Sequence, residues 1–393
     1  MKFRLAIIHL GFVLTGIVTT MLGPILPLLS SRWLLTDAQS GRLFTAQFLS
    51  SVTGSLLASR IVGRWGAATT VTIGMFLVVL GVALLGIGSL TIGVLGIALY
   101  GLGLGFALPS TNLWVSELAG EKASSALNLL NFSWTVGALG APVFFAELQR
   151  PLGTRGTMFL LAASLLIIAA LEAAGIRHQI SGPQRPLQSS TAERERSRLV
   201  LAILTTVFLL LYVGTENGIA GWLPSFASRN YQMSVNSTAM LQSCFWGCIL
   251  LGRLLAPLVL RRVATEALVA AGLAVAAVGT AITVMSPNVP ALFAGIVLGG
   301  LGLSSLFPTV ASIFTRWYGT GGGGSIVLGV GGLGGAFFPW LVGLLTYRTG
   351  SLRFGFSLNL LTALLAAVVF WRINVLVRTR FFKAKASEAS AAH

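Results

Sequence analysis

The chain has 393 residues, of which 55% are hydrophobic and only 9% are charged, and its formal net charge is +16. This composition leaves too few polar side chains to cover a soluble surface, so it excludes a soluble globular protein and indicates an integral membrane protein. The basic residues are spread through polar turns instead of gathering in one segment, so no nucleic-acid partner is expected.

Long apolar segments alternate with short polar turns, and each is near the 20 residues that a helix needs to cross the hydrocarbon of a bilayer. The pattern predicts an all-α membrane protein with twelve transmembrane helices, called spans one to twelve. Their approximate limits are residues 4–31, 39–60, 67–89, 91–116, 124–147, 153–176, 198–227, 235–260, 264–286, 288–315, 321–347 and 351–377.

A polar, proline-bearing segment without apolar periodicity interrupts the series of spans at residues 177–197. Such a segment is typical of a linker. It separates a first half, residues 1–176, from a second half, residues 198–377, so we expect two bundles of six helices each. Residues 378–393 are predicted to form a disordered tail.

Three short motifs of the first half return in the same order in the second half. The pairs are residues 54–58 with 252–256, 101–104 with 300–303, and 137–140 with 331–334. A duplicated apolar chain is the expected construction of a transporter whose two pseudo-symmetric halves move about a central site.

The distribution of basic residues predicts the topology. If the N-terminus is cytoplasmic, 19 of the 26 Lys and Arg residues lie on the cytoplasmic side. This bias predicts that both termini are cytoplasmic and that the protein is a multi-pass protein of the inner membrane. It also favours contact with anionic lipids.

One acidic residue, Glu216, lies well inside a span, where a charge costs roughly 2.5–3.5 kcal/mol or more and therefore requires a partner or a function. Glycines and a proline surround it, namely Gly214, Gly218, Gly221 and Pro224. These residues weaken a helix and favour an unwound stretch that lines a cavity. The matching part of span one, residues 16–27, carries a similar interruption, and such pairs mark transport sites. The alternative is that Glu216 is protonated and only bonds a neighbouring helix.

Polar and aromatic residues of other spans can complete a neutral site. They are Gln47 and Asn112 of spans two and four, Asn128, Asn131 and Trp134 of span five, and Gln242 and Trp246 of span eight. Amides bond pairs of hydroxyls and indoles stack on apolar ring faces, which together suit a sugar. Bonding between helices and simple packing remain the alternatives for each of them.

The first repeated motif also places arginines near the predicted cytoplasmic ends of spans two and eight. The residues of interest are Gly54, Arg60 and Arg64, and in the second half Gly252, Arg253, Arg261 and Arg262. Such arginines can clamp neighbouring helix ends in one state and release them in another, which would make this a gate. The alternative is that they only mark the topology.

The sequence predicts neither a metal site nor an enzyme. Cys244 and Cys248 lie four apart on span eight, but no His, Asp or third Cys in that span completes a coordination shell. The three histidines are scattered at positions 9, 178 and 393, without a nucleophile or carboxylate framework around them.

Twelve spans, two related halves, a middle linker and the repeated loop motif resemble the major facilitator superfamily over nearly the whole chain. The loop motif departs from that family at Ser59 and Pro257, which stand where an acidic residue is common. State-dependent clamping through that acid is therefore not expected here.

Within that family, three segments look like the fucose and glucose symporter branch, namely residues 127–128 with 131–142, residues 212–224 and residues 331–343. That branch takes up monosaccharides, often with a proton and in some members with sodium. The resemblance implies that Glu216, Asn217 and Trp222 lie on a sugar-facing seventh helix. Proton-coupled members also use an acid in the first half, where span one here has Thr19 and Thr20.

We therefore expect a monomeric secondary transporter that moves a hexose or deoxyhexose, such as glucose or fucose, by alternating access. It would bind no cofactor, and a proton or sodium ion would couple through Glu216. The alternatives are an uncoupled sugar facilitator, a multidrug or lipid exporter of the same superfamily, and a membrane sensor that binds ligand without transport.

Overall fold

The computed structural model describes residues 2–175, 192–318, 327 and 329–391, and every regular element within these residues is helical. Among the described residues we number the α-helices whose two ends are both defined, in chain order, α1 to α13. Their bounds are Lys2–Thr20, Leu22–Arg32, Asp37–Ile87, Leu90–Ala119, Ala123–Gly175, Ala192–Tyr231, Val235–Val259, Thr265–Met285, Val289–Ser304, Leu306–Tyr318, Gly334–Thr349, Leu352–Phe356 and Leu358–Ala391.

The helices account for the twelve predicted spans. Nine helical segments of the described residues are long and apolar enough to cross a membrane, and the pair α1 and α2, bent by 43°, adds one more. Two of the nine, α3 and α5, each contain two spans, because Gly66 and Gly153 have positive φ angles of 80° and 63° that turn the chain back. Glycine adopts such angles without steric cost. The twelve-helix fold is thus confirmed.

Three local predictions were wrong. Helix α6 runs unbroken from Ala192 to Tyr231, so span seven is not unwound, and the last residues of the predicted linker are helical. Its glycines admit close neighbours instead: a Cβ on Gly214 would meet the Phe338 ring at 2.1 Å. The tail continues as helix α13 to Ala391, consistent with its many alanines, lysines and glutamate, which favour helix. Residues 177–191 of the linker lie outside the described residues.

The duplication is visible in structural details that the motifs did not reveal. The turns before spans two and eight each contain a residue with a positive φ angle, Leu34 and Gln232. Each turn is followed by a hydroxyl N-cap, since Thr36 accepts from the Gln39 amide and Ser234 accepts from the Ser237 amide. Side-chain caps of this kind fix where a helix begins.

Glycine contacts also repeat between the two halves. They change which residues of the third motif, 137–140 and 331–334, correspond to each other. A Cβ on Gly137 would lie 2.0 Å from the Val13 carbonyl oxygen, and a Cβ on Gly334 would lie 1.9 Å from the Leu210 carbonyl oxygen. In packing, the partner of Gly137 is therefore Gly334 and not Gly331. In each half this glycine lets the fifth helix of the bundle touch the first.

The two halves pack tightly at one end of the molecule, which we call the closed end and which contains the turns at residues 33–36 and 232–234. Thr45 donates to the carbonyl oxygen of Ala336 at 2.9 Å, and Ser243 donates to that of Leu139 at 2.8 Å. A pocket of only about 20 Å³ remains between the halves there, bounded by Pro24, Pro142, Pro224 and their neighbours. This volume holds about one water molecule and admits no sugar.

At the opposite end of the molecule, which we call the open end, the two halves lie apart. Asn128 and Asn131 of α5 are exposed there. Thr135, on the same helix face but nearer the centre, contacts the second half, so this face of α5 borders the gap between the halves.

An ion pair joins the halves at the closed end, where Arg229 Nη2 lies 2.6 Å from Asp37 Oδ1. Exposed pairs of this kind contribute roughly 0.2–1 kcal/mol, which corresponds to a change of up to about fivefold in the population of the closed end. We expect Asp37→Asn and Arg229→Gln each to open this end more often, and the exchanged pair Asp37→Arg with Arg229→Asp to restore closure.

The opening is measured as the rate at which a water-soluble maleimide labels Ala239→Cys, placed in a Cys244→Ser/Cys248→Ser background, because Ala239 is buried beside the seam. Arg42→Gln is the control, since Arg42 is exposed and forms no ion pair with a described residue. Equal labelling rates in all variants would show that the pair does not hold the closed end.

Candidate functional site

Glu216 lies on α6 beside the seam between the halves, where its side chain is 11% exposed and its partner Arg253 also contacts Thr135 of the first half. The Tyr212 hydroxyl, one helical turn earlier on α6, donates to Glu216 Oε1 at 2.9 Å. The sequence pattern placed Glu216 correctly inside span seven but did not identify Tyr212, which its spacing of four residues could have indicated.

Arg253 is the cationic partner of Glu216. Its Nη2 lies 3.5 Å from Glu216 Oε1, and its side chain is 25% exposed. The sequence analysis grouped Arg253 with the gate residues; the structure places it a turn and a half before the end of α7, beside Glu216. Arg253 thus adds a positive charge beside the residues that were expected to form a neutral site.

Arg253 also connects three helices of the second half with the first half. Its Nε donates to the carbonyl oxygen of Ser304 at 3.2 Å, and its Nη1 donates to Thr135 Oγ1 of α5 at 3.3 Å. One guanidinium thus contacts α6, α9 and the first half at once. Any movement between the halves must break or rebuild the bond to Thr135.

Two tryptophans meet between the halves next to this network. Trp134 of α5 and Trp246 of α7 are in edge-to-face contact, with ring centroids 5.9 Å apart. Both indole N–H groups are buried and have no hydrogen-bond partner among the described residues. Gln242, one turn from Trp246, donates to the Ala220 carbonyl oxygen at 2.7 Å while its own Oε1 is unpaired. Two free donors and one free acceptor therefore lie close to the seam.

Three asparagines present acceptors from both halves. Asn112, Asn131 and Asn217 each donate through Nδ2 to the carbonyl oxygen four residues earlier in their own helix, at 2.8, 2.8 and 2.9 Å. Each amide uses only one of its two Nδ2 hydrogens in this bond, so its Oδ1 and its second N–H are the groups that can bond a ligand. None of the three is fully buried, and Asn128, one turn from Asn131, is exposed.

Two of the predicted site residues have other roles. Gln47 donates to the Thr19 carbonyl oxygen and accepts from the Tyr100 hydroxyl at 3.0 Å, so it joins spans within the first half. Trp222 is fully buried and donates to the Pro339 carbonyl oxygen at 2.8 Å. It fixes α6 against α11 toward the closed end. We assign both to packing.

The remaining predicted gate residues divide into packing and exposed positions. A Cβ on Gly54 would lie 2.3 Å from the Leu102 carbonyl oxygen, and one on Gly252 would lie 2.0 Å from Ser304 Oγ. The arginines at the open end are exposed and form no ion pair with a described residue, namely Arg60, Arg64, Arg261 and Arg262. In this state an ion pair between the halves lies at the closed end, where Arg229 contacts Asp37.

Glu172, near the end of predicted span six, is a second buried carboxyl group. It is 4% exposed, and its Oε2 is unpaired. It packs between α5 and Gly11 of α1, where a Cβ would lie 2.7 Å from its Oε1. Its spacing of three and four residues from the buried Ala169 and Ile168 is the signal that could have indicated its burial.

Comparison with known proteins agrees with this architecture. The model of the Major Facilitator Superfamily matches residues 8–265 and 204–391. The Brucella abortus glucose/galactose transporter is 26% identical over 376 residues, which cover 88% of this chain and 89% of that protein. A sugar carrier protein C of Ricinus communis is 33% identical over 132 residues, which cover 32% of this chain and 25% of that protein.

Solved structures share the fold at low identity. The FucP transporter in its outward conformation, described for E. coli as a fucose:proton symporter, is 19% identical with a TM-score of 0.64, covering 95% of this chain and 98% of that one. A bacterial homologue of the human lysosomal transporter Spinster, inward-facing and unoccupied, is 15% identical with a TM-score of 0.74, covering 95% and 97%. The chain therefore belongs to the Major Facilitator Superfamily, as a multi-pass membrane transporter and not an enzyme.

Proposed function

We propose that this transporter moves a monosaccharide, a hexose or deoxyhexose, across the inner membrane by alternating access. The observation that carries the proposal is the set of unpaired polar atoms between the halves, namely the indole nitrogens of Trp134 and Trp246 and Oε1 of Gln242. Buried polar atoms are nearly always paired, so unpaired ones beside a gap call for a ligand. Sugar hydroxyls both donate and accept, and an aromatic pair suits the apolar face of the ring.

The relatives support the same substrate class. One is described as a glucose/galactose transporter and another as a fucose:proton symporter. The exposed arginines at the open end support an orientation with that end in the cytoplasm, because basic residues accumulate on the cytoplasmic side. On this orientation both termini are cytoplasmic and the described state faces inward.

We further propose that Glu216 couples transport to a proton. When Glu216 is ionised, it holds Arg253 by charge, and when it takes a proton that attraction ends. Arg253 also donates to Thr135 in the other half. The protonation state of Glu216 therefore affects the hydrogen bond that Arg253 makes between the two halves. The coupling thus requires no other charged group in the first half. Sodium in place of the proton, or no coupling ion at all, would be revealed by the experiments below.

The substrate class is tested by the thermal stability of the purified protein with a panel of monosaccharides and amphipathic cations. A bound sugar stabilises the folded state by RT ln(1 + [L]/Kd), about 2.7 kcal/mol at a hundredfold excess over Kd. We expect hexoses or deoxyhexoses to raise the melting temperature and amphipathic cations to leave it unchanged. The reverse result would indicate an exporter and contradict the proposal. A stabilising sugar that is bound but never transported would indicate a sensor.

The role of the indole groups is tested with deoxy and fluoro analogues of the sugar that binds. Fluorine accepts hydrogen bonds weakly and donates none, so at a hydroxyl that accepts from an indole the fluoro analogue should bind better than the deoxy analogue. Loss of one hydrogen bond costs about 0.5–1.5 kcal/mol, a change of roughly two- to twelvefold in affinity. Trp246→Phe keeps the ring but removes the donor, so it should abolish this difference. If both analogues still differ in Trp246→Phe and in Trp134→Phe, the indoles do not bind hydroxyls.

The coupling is tested by Glu216→Gln in vesicles with an imposed pH gradient. The amide keeps the size of the side chain but cannot exchange a proton, so we expect loss of accumulation while exchange of sugar across the membrane continues. Unchanged accumulation would remove Glu216 as the coupling residue. Wild-type protein that equilibrates sugar without accumulating it under either a pH or a sodium gradient would indicate a facilitator.

Arg253→Gln provides the matched control for the pair. This change leaves Glu216 without its counter-charge, which for a buried pair costs about 3–5 kcal/mol of stability. The double variant Glu216→Gln/Arg253→Gln removes both charges and should recover most of that loss without recovering accumulation. A double variant as unstable as Arg253→Gln alone would show that the two side chains are not energetically linked.

A further inference from the structure

The outer side of α7 carries an apolar groove that the transport site does not use. The groove has a volume of about 600 Å³. Leu139 of the first half forms one wall, and Val289 and Phe293 of α9 form the other. It therefore lies along the seam between the halves and is open at its side. Gln242 and Trp246 lie on a different face of α7 and are buried.

Both cysteines of the chain lie in this groove. Cys244 and Cys248 are free thiols, partly exposed, on successive turns of α7. Four residues of α-helix correspond to a rise of about 6 Å and bring side chains to the same face. The thioethers of Met233 and Met240 line the same groove.

Among the described residues, Cys244 and Cys248 are the only ionisable side chains that line this groove, beside the neutral thioethers of Met233 and Met240. No group of three or more His, Cys, Asp or Glu side chains able to hold a metal occurs in the part of the chain that the structure describes. Structural metal ions such as zinc require four ligands. An arsenic(III) centre that already carries one carbon substituent requires only two thiolates, and soft sulfur ligands suit it.

We propose that Cys244 and Cys248 form a dithiol site for monosubstituted arsenic(III) compounds with an apolar substituent, and that occupation of this site stabilises the closed end. For phenylarsine oxide, two As–S bonds form, the bond between arsenic and oxygen breaks, and both thiol protons leave with that oxygen as water. Arsenic stays in its +3 state, so the reaction needs neither an oxidant nor a reductant.

The effect on the closed end follows from the walls of the groove. Ser243, next to Cys244, donates to the Leu139 carbonyl oxygen at 2.8 Å. A Cβ on Gly247, between the two cysteines, would lie 3.4 Å from Leu139 Cδ1. A phenyl group bound here would therefore contact both halves in the described state and lose those contacts when the seam separates. A ligand that binds one state better shifts the population toward it.

The site is tested by intact-mass measurement of the full chain after treatment with phenylarsine oxide. We expect one phenylarsenic group on the wild type and none on Cys244→Ser or Cys248→Ser, because each alone leaves a single thiol. A dithiol such as 2,3-dimercaptopropanol should remove the group, whereas 2-mercaptoethanol at equal thiol concentration should not. Equal modification of the single-cysteine variants, or removal by the monothiol, would overturn the dithiol assignment.

The variant Gly247→Phe tests the contribution of the groove independently of the two thiols. It retains both cysteines and places a ring between them, in a position where only Leu139 is within 4 Å of the new Cβ. Modification should fall in Gly247→Phe and persist in Gly247→Ala. Equal modification in both would show that the groove does not take part.

Uptake of the transported sugar by vesicles provides the functional readout. Treated wild type should lose uptake, treated Cys244→Ser should keep it, and the dithiol should restore it in the wild type. Full uptake by fully modified wild type would refute the effect on the closed end. The mass measurements do not depend on the substrate, so failure of the monosaccharide proposal is distinguishable from failure of this one.

Discussion

The ion pair between Glu216 and Arg253 is the constraint around which the centre of this protein is arranged. A largely buried carboxylate is costly unless a counter-charge and hydrogen bonds accompany it. Arg253 and Tyr212 supply these, and Arg253 can do so because α7 carries it into the centre of the bundle. The same guanidinium bonds Thr135 across the seam. The group that compensates the buried acid is therefore also a link between the two halves.

The pair breaks an otherwise close internal symmetry. In the repeated motif Ser55 stands where the second half has Arg253. Both side chains donate to a carbonyl oxygen at 3.2 Å, Ser55 to that of Gly105 and Arg253 to that of Ser304. The duplicated framework thus supplies the same backbone contact in both halves, and only the second half adds charge to it. Because both charged residues belong to the second half, a change in the protonation of Glu216 alters the contact across the seam from that half alone.

The sequence predicted the fold well, because spans and packing motifs are local patterns. Apolar length identifies a span, and glycines mark where helices touch. It predicted the site less well. Arg253 looked like a residue at a membrane surface because it shares the repeated motif with Arg60 and Arg261, which are such residues. The depth of a side chain in the membrane depends on where its helix ends. The glycines around Glu216 indicated an unwound helix, whereas Phe338 and Phe44 occupy the space that they leave. Which neighbour fills a gap is a property of the tertiary structure.

The unpaired atoms at the seam explain how a ligand can drive the change between states. Each buried donor or acceptor without a partner costs about 1–3 kcal/mol, so the empty site is held at higher free energy than a filled one. Trp134 belongs to the first half and Trp246 to the second, so a sugar that pairs both indoles must contact both bodies at once. Those contacts are complete only when the halves meet around the sugar. On the proposed function, binding therefore favours an occluded arrangement in which Arg253 and Thr135 are in contact, and the protonation of Glu216 would decide whether that contact is kept.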